Sequence, residues 1–360
     1  MRRGRLPLGL SCGLLAWAIV AGAPLAGVQA GFDRSESLRA DTLVVRNVVG
    51  QVEIEGHDGP DFEVEVLVRG RDASPDRVQV EVRQGPLAEV IVRFPLEESK
   101  RYVYPRSQGT TSISLDDGAS WLSRLLGGGS IKVSSDGQGL EIWADVTLRV
   151  PRGKKLVVDH GVGTLHARNV VGDLELATRS GAVGVSGVTG GVSIDTGSGQ
   201  VTVTGIGGDL HVDTGSGRVA VSEVRSKKLH LDTGSGRVEL AGVDSSSIHV
   251  DTGSGGVEGQ AVGADDLTID TGSGSVTLDL ARMGRGKFLI DTGSGSIDLR
   301  LPAAASAEVR ADTGSGGIHL DLAGEVRMRE QGDDMAEFTV GAGDARVRLD
   351  TGSGTIHVRQ

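Results

Sequence analysis

One pentapeptide, Asp-Thr-Gly-Ser-Gly, constrains this chain more than any other feature. It begins at Asp195, Asp213, Asp232, Asp251, Asp270, Asp291, Asp312 and Asp350, with successive offsets of 18, 19, 19, 19, 21, 21 and 38 residues. The last offset is twice 19, which places a degenerate copy inside it. Val340-Gly341-Ala342-Gly343 is the candidate, preceded by an irregular insert from Glu325 to Glu337. Weaker copies lie upstream, at Ala177-Thr178-Arg179-Ser180-Gly181 and Asp159-His160-Gly161-Val162-Gly163. Repetition at a short fixed period marks a stacked repeat architecture.

Counting each Asp as position zero, positions +6 and +8 are apolar, as in Val201 and Val203 or Ile297 and Leu299. Another apolar residue often follows at +11 (Ile206, Val224, Val243, Val262), and two more precede the next Asp at −3 and −1 (Leu210 and Val212, Leu229 and Leu231). Polar residues alternate with them, the pattern of short strands with one buried face. Gly at +2 and +4 allows the positive φ of a tight corner. Two strands and a corner in about 19 residues predict an all-β fold: a single-chain β-solenoid or β-helix-like stack of ~19-residue coils, each laid on the last at about 4.8 Å. An antiparallel meander with hairpin loops is the alternative.

Residues 31–150 read as a less regular N-terminal β region, and 151–360 as the repeat domain. Arg46-Asn47-Val48-Val49-Gly50-Gln51-Val52-Glu53-Ile54 recurs as Arg168-Asn169-Val170-Val171-Gly172-Asp173-Leu174-Glu175-Leu176, which suggests a shared coil and a solenoid beginning near Asp41. Further strands are expected at Phe62–Val68, Val78–Val82 and Val90–Phe94. A loop insert occupies 97–130, where Trp121-Leu122-Ser123-Arg124-Leu125-Leu126 reads as a one-turn helix over a core end, or else an exposed anchor.

Arg2, Arg3 and Arg5 precede an apolar run from Leu6 to Val28, and Val28-Gln29-Ala30 offers the small residues of a signal-peptidase site. Residues 1–30 are therefore expected to be a signal peptide cleaved after Ala30, with a retained anchor as the alternative. Cleavage removes the only cysteine, Cys12, and leaves 34 basic against 48 acidic residues, a formal charge of −14. The exported chain has no disulfide to staple it, and its charge argues against a nucleic-acid partner. No later stretch approaches a membrane span.

Asp-Thr-Gly-Ser is also the core of aspartic-protease sites, where two aspartates from two lobes share a proton. Eight copies at coil spacing form a column instead, so the eight aspartates are read as structural turns, each accepting bonds from the amides of its own corner. Like charges about 4.8 Å apart repel unless solvated or bridged. Calcium at the Asp column (Asp213, Asp232, Asp251) is therefore an alternative, as is zinc at His211, His230 and His249, which recur at −2 in three consecutive coils. His166, His319 and His357 fall at +7 in scattered coils and read as exposed strand positions. Sugar chemistry finds no aromatic platform between Trp143 and Phe288. No catalytic residues and no cofactor are expected.

The Asp-Thr-Gly-Ser-Gly corners, the Val-x-Val strands and the Arg-Asn-Val-Val-Gly-x-Val-x-Ile opening resemble the bacterial putative-adhesin family, exported β-strand-repeat proteins that contain a domain of unknown function. The resemblance covers most of 41–360 and implies a stacked β-solenoid in the bacterial envelope, without catalytic residues. The functional expectation is a non-catalytic exported scaffold or adhesin, periplasmic, surface-bound or secreted, binding an envelope or surface polymer or protein through its sheet faces. The alternatives are a divalent-metal-binding repeat module or an enzyme acting on envelope polysaccharide. Open coil ends add end-to-end self-association as a further expectation.

Overall fold

The computed structural model describes residues 31–107, 109–114, 130–323 and 326–360. The expected signal peptide and the expected helix at 121–126 lie outside the described residues.

Alternation of apolar and polar residues produces two strands per coil, joined at two corners. Strand Val192–Ser198 runs parallel to Leu210–Ser216, which runs parallel to the second half of Val219–Thr233, with Leu210 opposite both Val192 and Leu229. A second ladder forms from the other strand of each coil, with Val201 opposite Val219 and Val219 opposite Val238. The inward residues fill the space between the ladders: Val201, Val203, Ile206, Leu210 and Val212 are at most 2% exposed. Each such burial contributes about 1.5–3 kcal/mol before chain entropy is counted. The coils are parallel; among the described residues antiparallel pairing is confined to the two ends and to a small side sheet.

Chain order and stacking order agree through most of the solenoid and part at its C-terminal end. Asp291 pairs with Asp350, and Asp350 pairs with Asp312. The other ladder repeats this, Ile356 lying between Ile297 and Ile318. The last coil is thus inserted between two coils that are neighbours in sequence. The interval between them is no degenerate coil: Val326–Gln331 and Met335–Val340 form an antiparallel hairpin, and the second of these strands pairs antiparallel with Ala307–Thr313. Val340-Gly341-Ala342-Gly343 is the end of that hairpin and the turn after it, which crosses to the inserted coil. The expected irregular insert is a cap.

At the other end the first coil does come from the N-terminal region. Thr42–Val49 and Val52–His57 stack on Lys154–Val162 and Leu165–Arg168, so one apolar core runs through both parts of the chain. The shared string nevertheless occupies two different corners. Gly50 turns the first strand into the second, as Gly163 and Gly181 do, whereas Gly172 lies opposite Lys154 at the start of a coil. The strings share their glycine because both corners bring backbone against backbone: a Cβ on Gly50 would lie 1.9 Å from Ala144 O, and one on Gly172 2.1 Å from Lys154 O.

The expected strands near 62–68, 78–82 and 90–94 are found as Phe62–Arg69, Gln79–Arg83 and Leu87–Arg93. With Phe32–Leu38 and Trp143–Pro151 they close the N-terminal end of both ladders. The segment expected to be loop contains a three-stranded sheet, Arg101–Val103, Ser130–Ser134 and Thr110–Ser114, which buries Tyr102, Ile113, Ile131 and Val133.

Candidate functional site

In an extended strand alternate residues face opposite ways. The residues that flank each buried pair at −3 and −1 therefore build the outer surface as in-register columns. The position-zero column begins at Arg46, passes through Asp159, Ala177, Asp195, Asp213, Asp232, Asp251, Asp270, Asp291 and Asp350, and ends at Asp312. The eight pentapeptide aspartates form one line, and no two of them face each other across a cleft.

These aspartates do not make the corner. Among the described residues no corner amide donates to any of their carboxylates, and the five from Asp195 to Asp270 are exposed. The expected Asx-turn is replaced by the next residue. Every threonine from Thr178 to Thr351 in this column, and Thr313 beyond it, is buried. Thr271 Oγ1 accepts from Gly274 N at 3.0 Å and donates to the Gly255 carbonyl of the neighbouring coil at 2.9 Å. Thr252, Thr292, Thr313 and Thr351 repeat both bonds. A carboxylate there would be stripped of water, whereas a hydroxyl supplies the one donor and one acceptor required.

Close backbone approach demands the glycine at +4 in every coil, a Cβ on Gly199 or Gly217 lying 2.0 Å from a carbonyl oxygen of the neighbouring coil, and in these two the backbone conformation demands it as well. Gly199 and Gly217 turn at φ of +144° and +139°. From Asp232 onward the φ is ordinary and space alone decides: a Cβ on Gly274 would lie 1.8 Å from Gly255 O.

The column at −2 carries Ser193, His211, His230, His249, Thr268, Leu289, Arg348 and Arg310. The three imidazoles stack, with ring centroids 4.9 and 4.8 Å apart and planes inclined by 12° and 2°. Desolvation, then the His249 and His211 rings, lowers the His230 pKa against the pull of Asp232 and Asp213. In the last two layers the column turns basic. Arg348 Nε reaches Asp350 at 2.5 Å and Arg310 Nε reaches Asp312 at 2.8 Å, each along its own strand. Between them and the free aspartates, Asp291 has its pKa raised, by partial burial first and then by Asp270 and Asp350 on either side.

Position +7 on the second ladder holds a further correction. His319 and His357 are far apart in sequence but paired in space, their rings edge-to-face at 6.2 Å, because the last coil is inserted next to the coil of Asp312. His166 sits apart, bonded to Glu53 at 3.1 Å. Among the described residues no three His, Cys, Asp or Glu side chains converge as metal ligands, so the His and Asp columns lie side by side without forming a closed site. Among them, too, no helix is long and apolar enough to cross a membrane.

A family model described as Toastrack DUF4097 matches residues 74–359. No curated protein matches the chain at a significant level. Two solved structures are similar. One is a putative cell adhesion protein from Clostridium sporogenes, 10% identical, covering 92% of this chain and all of its own, with a TM-score of 0.22. The other is a putative adhesin from Bacteroides fragilis, 12% identical, covering 93% of this chain and 98% of its own, with a TM-score of 0.34.

Proposed function

The chain belongs to the Toastrack DUF4097 family, and from that premise we propose that it is a non-catalytic exported scaffold of the cell envelope or surface that binds polymers through its outer sheet faces. The observation that carries this reading is the single file of aspartates from Asp195 to Asp312, held in register by parallel strand pairing and, from Asp251 onward, by buried threonines bonded to the neighbouring coil. A rigid row of carboxylates at about 4.8 Å suits a partner that is itself repetitive and carries cationic or hydrogen-bond-donating groups. The aspartates stand in one file with no two facing across a cleft, so the paired-carboxylate chemistry of aspartic proteases and glycosidases finds no support in this column. The leader-like start, Arg2, Arg3, Arg5 and the apolar run to Val28, supports export.

The test is a binding screen of the purified chain against cationic, neutral and anionic envelope and host polymers at low and high salt. Cationic polymers are expected to bind best, to weaken as salt rises, and to lose affinity for the triple substitution Asp232→Asn, Asp251→Asn and Asp270→Asn. Equal binding of anionic polymers, or turnover of any of them, contradicts the proposal.

A further inference from the structure

Three neighbouring strands carry the same outward pattern: His211-Val212-Asp213, His230-Leu231-Asp232 and His249-Val250-Asp251. Their middle residues are fully buried, so the histidine and aspartate of each strand point out on the same face. Strands lie about 4.8 Å apart and residues two apart on a strand are separated by about 6.7 Å. Each adjacent pair of strands therefore presents a rectangle with two imidazoles along one short side and two carboxylates along the other. The rectangle is small enough for four side chains to lean over its centre, where metal–nitrogen and metal–oxygen bonds of about 2.0–2.2 Å close a tetrahedral set.

We infer that this His-x-Asp array binds a borderline divalent transition ion such as Zn²⁺, through His230, one neighbouring histidine and the aspartates beside them. As they stand the rings lie flat on one another, and no three donors converge. Closing the site takes only side-chain rotation, and the side chains have room for it: His211 and all three aspartates are exposed, and His230 and His249 are half-buried. The ion brings opposite charge to carboxylates that otherwise repel along the column. Imidazole donors select zinc or copper over calcium, which takes oxygen ligands. Ser193 and Thr268 bound the ladder on either side, so the imidazole array ends within three strands.

The experiment titrates the chelator-treated chain with ZnCl₂ by calorimetry, with Co²⁺ absorption as a second readout of coordination. Saturable zinc binding is expected, weakened at least about tenfold by His230→Gln, which removes a ligand from both rectangles. His211→Gln and His249→Gln each leave one rectangle and weaken it less. Zinc raises the melting temperature of the native chain and, at the same concentration, raises that of His230→Gln less. Unaltered metal-free melting of His230→Gln confirms that its fold persists. The inference is overturned by no saturable binding at millimolar zinc, by equal affinity in His230→Gln, or by loss of binding in His319→Gln/His357→Gln instead.

Discussion

The hydroxyl of Thr351 donates a 2.8 Å hydrogen bond to the carbonyl of Gly295, 56 residues earlier in the chain. Thr313 makes the same bond at 2.9 Å to Gly354 on the far side of the inserted coil. The last coil thus occupies its slot with the bonds that sequence-adjacent coils use elsewhere. The same corner chemistry therefore joins coils whether or not they are neighbours in the chain.

That chemistry assigns the corner to threonine. Thr271→Val keeps the shape and removes the hydroxyl, leaving Gly274 N and Gly255 O without their partner, at an expected cost of about 1–3 kcal/mol. Asp270→Asn beside it, exposed on the outer face, is expected to change stability by less than about 0.5 kcal/mol. Urea unfolding of the two variants decides. A larger loss from the aspartate change would return the corner to the carboxylate.

Glycine has no substitute where two coils touch. Gly274→Ala puts a Cβ 1.8 Å from the Gly255 carbonyl oxygen, and because both sides are backbone the coils must part, for a loss of about 3 kcal/mol or more. Gly242 also has a positive φ, +61°, but nothing stands within 4 Å of its Cβ position. Gly242→Ala is expected to cost roughly 1–2 kcal/mol, the price of the left-handed conformation alone. Equal midpoints in thermal or urea melts would refute the distinction.

His160 occupies the buried position that threonine holds in later coils and is 3% exposed. Desolvation lowers its pKa from 6.5 to about 4, although the Gly50 carbonyl, 3.1 Å from Nε2, opposes it. The unfolded chain takes up this proton near pH 6.5 and the folded chain only near 4. Stability is therefore fully present above about 6.5 and falls as pH drops toward 4, by about 3 kcal/mol in all. His160→Thr should flatten the stability curve between these two values, whatever it does at neutral pH. An unchanged slope would rule His160 out as the source.

The repeat made the buried strands readable, since Val201, Val203 and their equivalents alternate with polar residues at a constant phase. Three features stayed hidden for physical reasons. The pentapeptides at Asp291, Asp312 and Asp350 are identical, so their letters carry no information about which pairs with which. Arg46-Asn47-Val48-Val49-Gly50 and Arg168-Asn169-Val170-Val171-Gly172 share letters without sharing a corner, and only their glycine has a common cause, the close approach of backbone at both places. Aspartate drew notice as the charged residue of the motif, while the threonine beside it, buried and bonded on both sides, reads in sequence as one more small polar residue. For the surface columns, the His211, His230 and His249 ladder was legible from spacing; the pairing of His319 with His357 required the insertion to be seen.

The inserted coil also holds the cap. Deleting residues 345–360 strips one side of Ala307–Thr313 of its parallel partner and opens Ile297–Arg300 to solvent. Limited proteolysis with mass spectrometry should then find new cleavage between 307 and 340, with coils before Asp270 still protected. Full protection of the cap in the truncated chain would mean that the coil of Asp312 had closed directly onto that of Asp291.

Stacking order at this end is tested most directly by cysteine pairs in a chain whose own Cys12 is replaced. Asp291→Cys with Asp350→Cys places the two residues in adjacent strands at about 4.8 Å, within disulfide range, whereas Asp291→Cys with Asp312→Cys leaves them two layers apart at roughly 9.6 Å, beyond it. Mild oxidation is expected to cross-link the first pair within one chain and not the second. A disulfide in the second pair but not the first would show that the coils stack in sequence order and that the inserted layer does not exist.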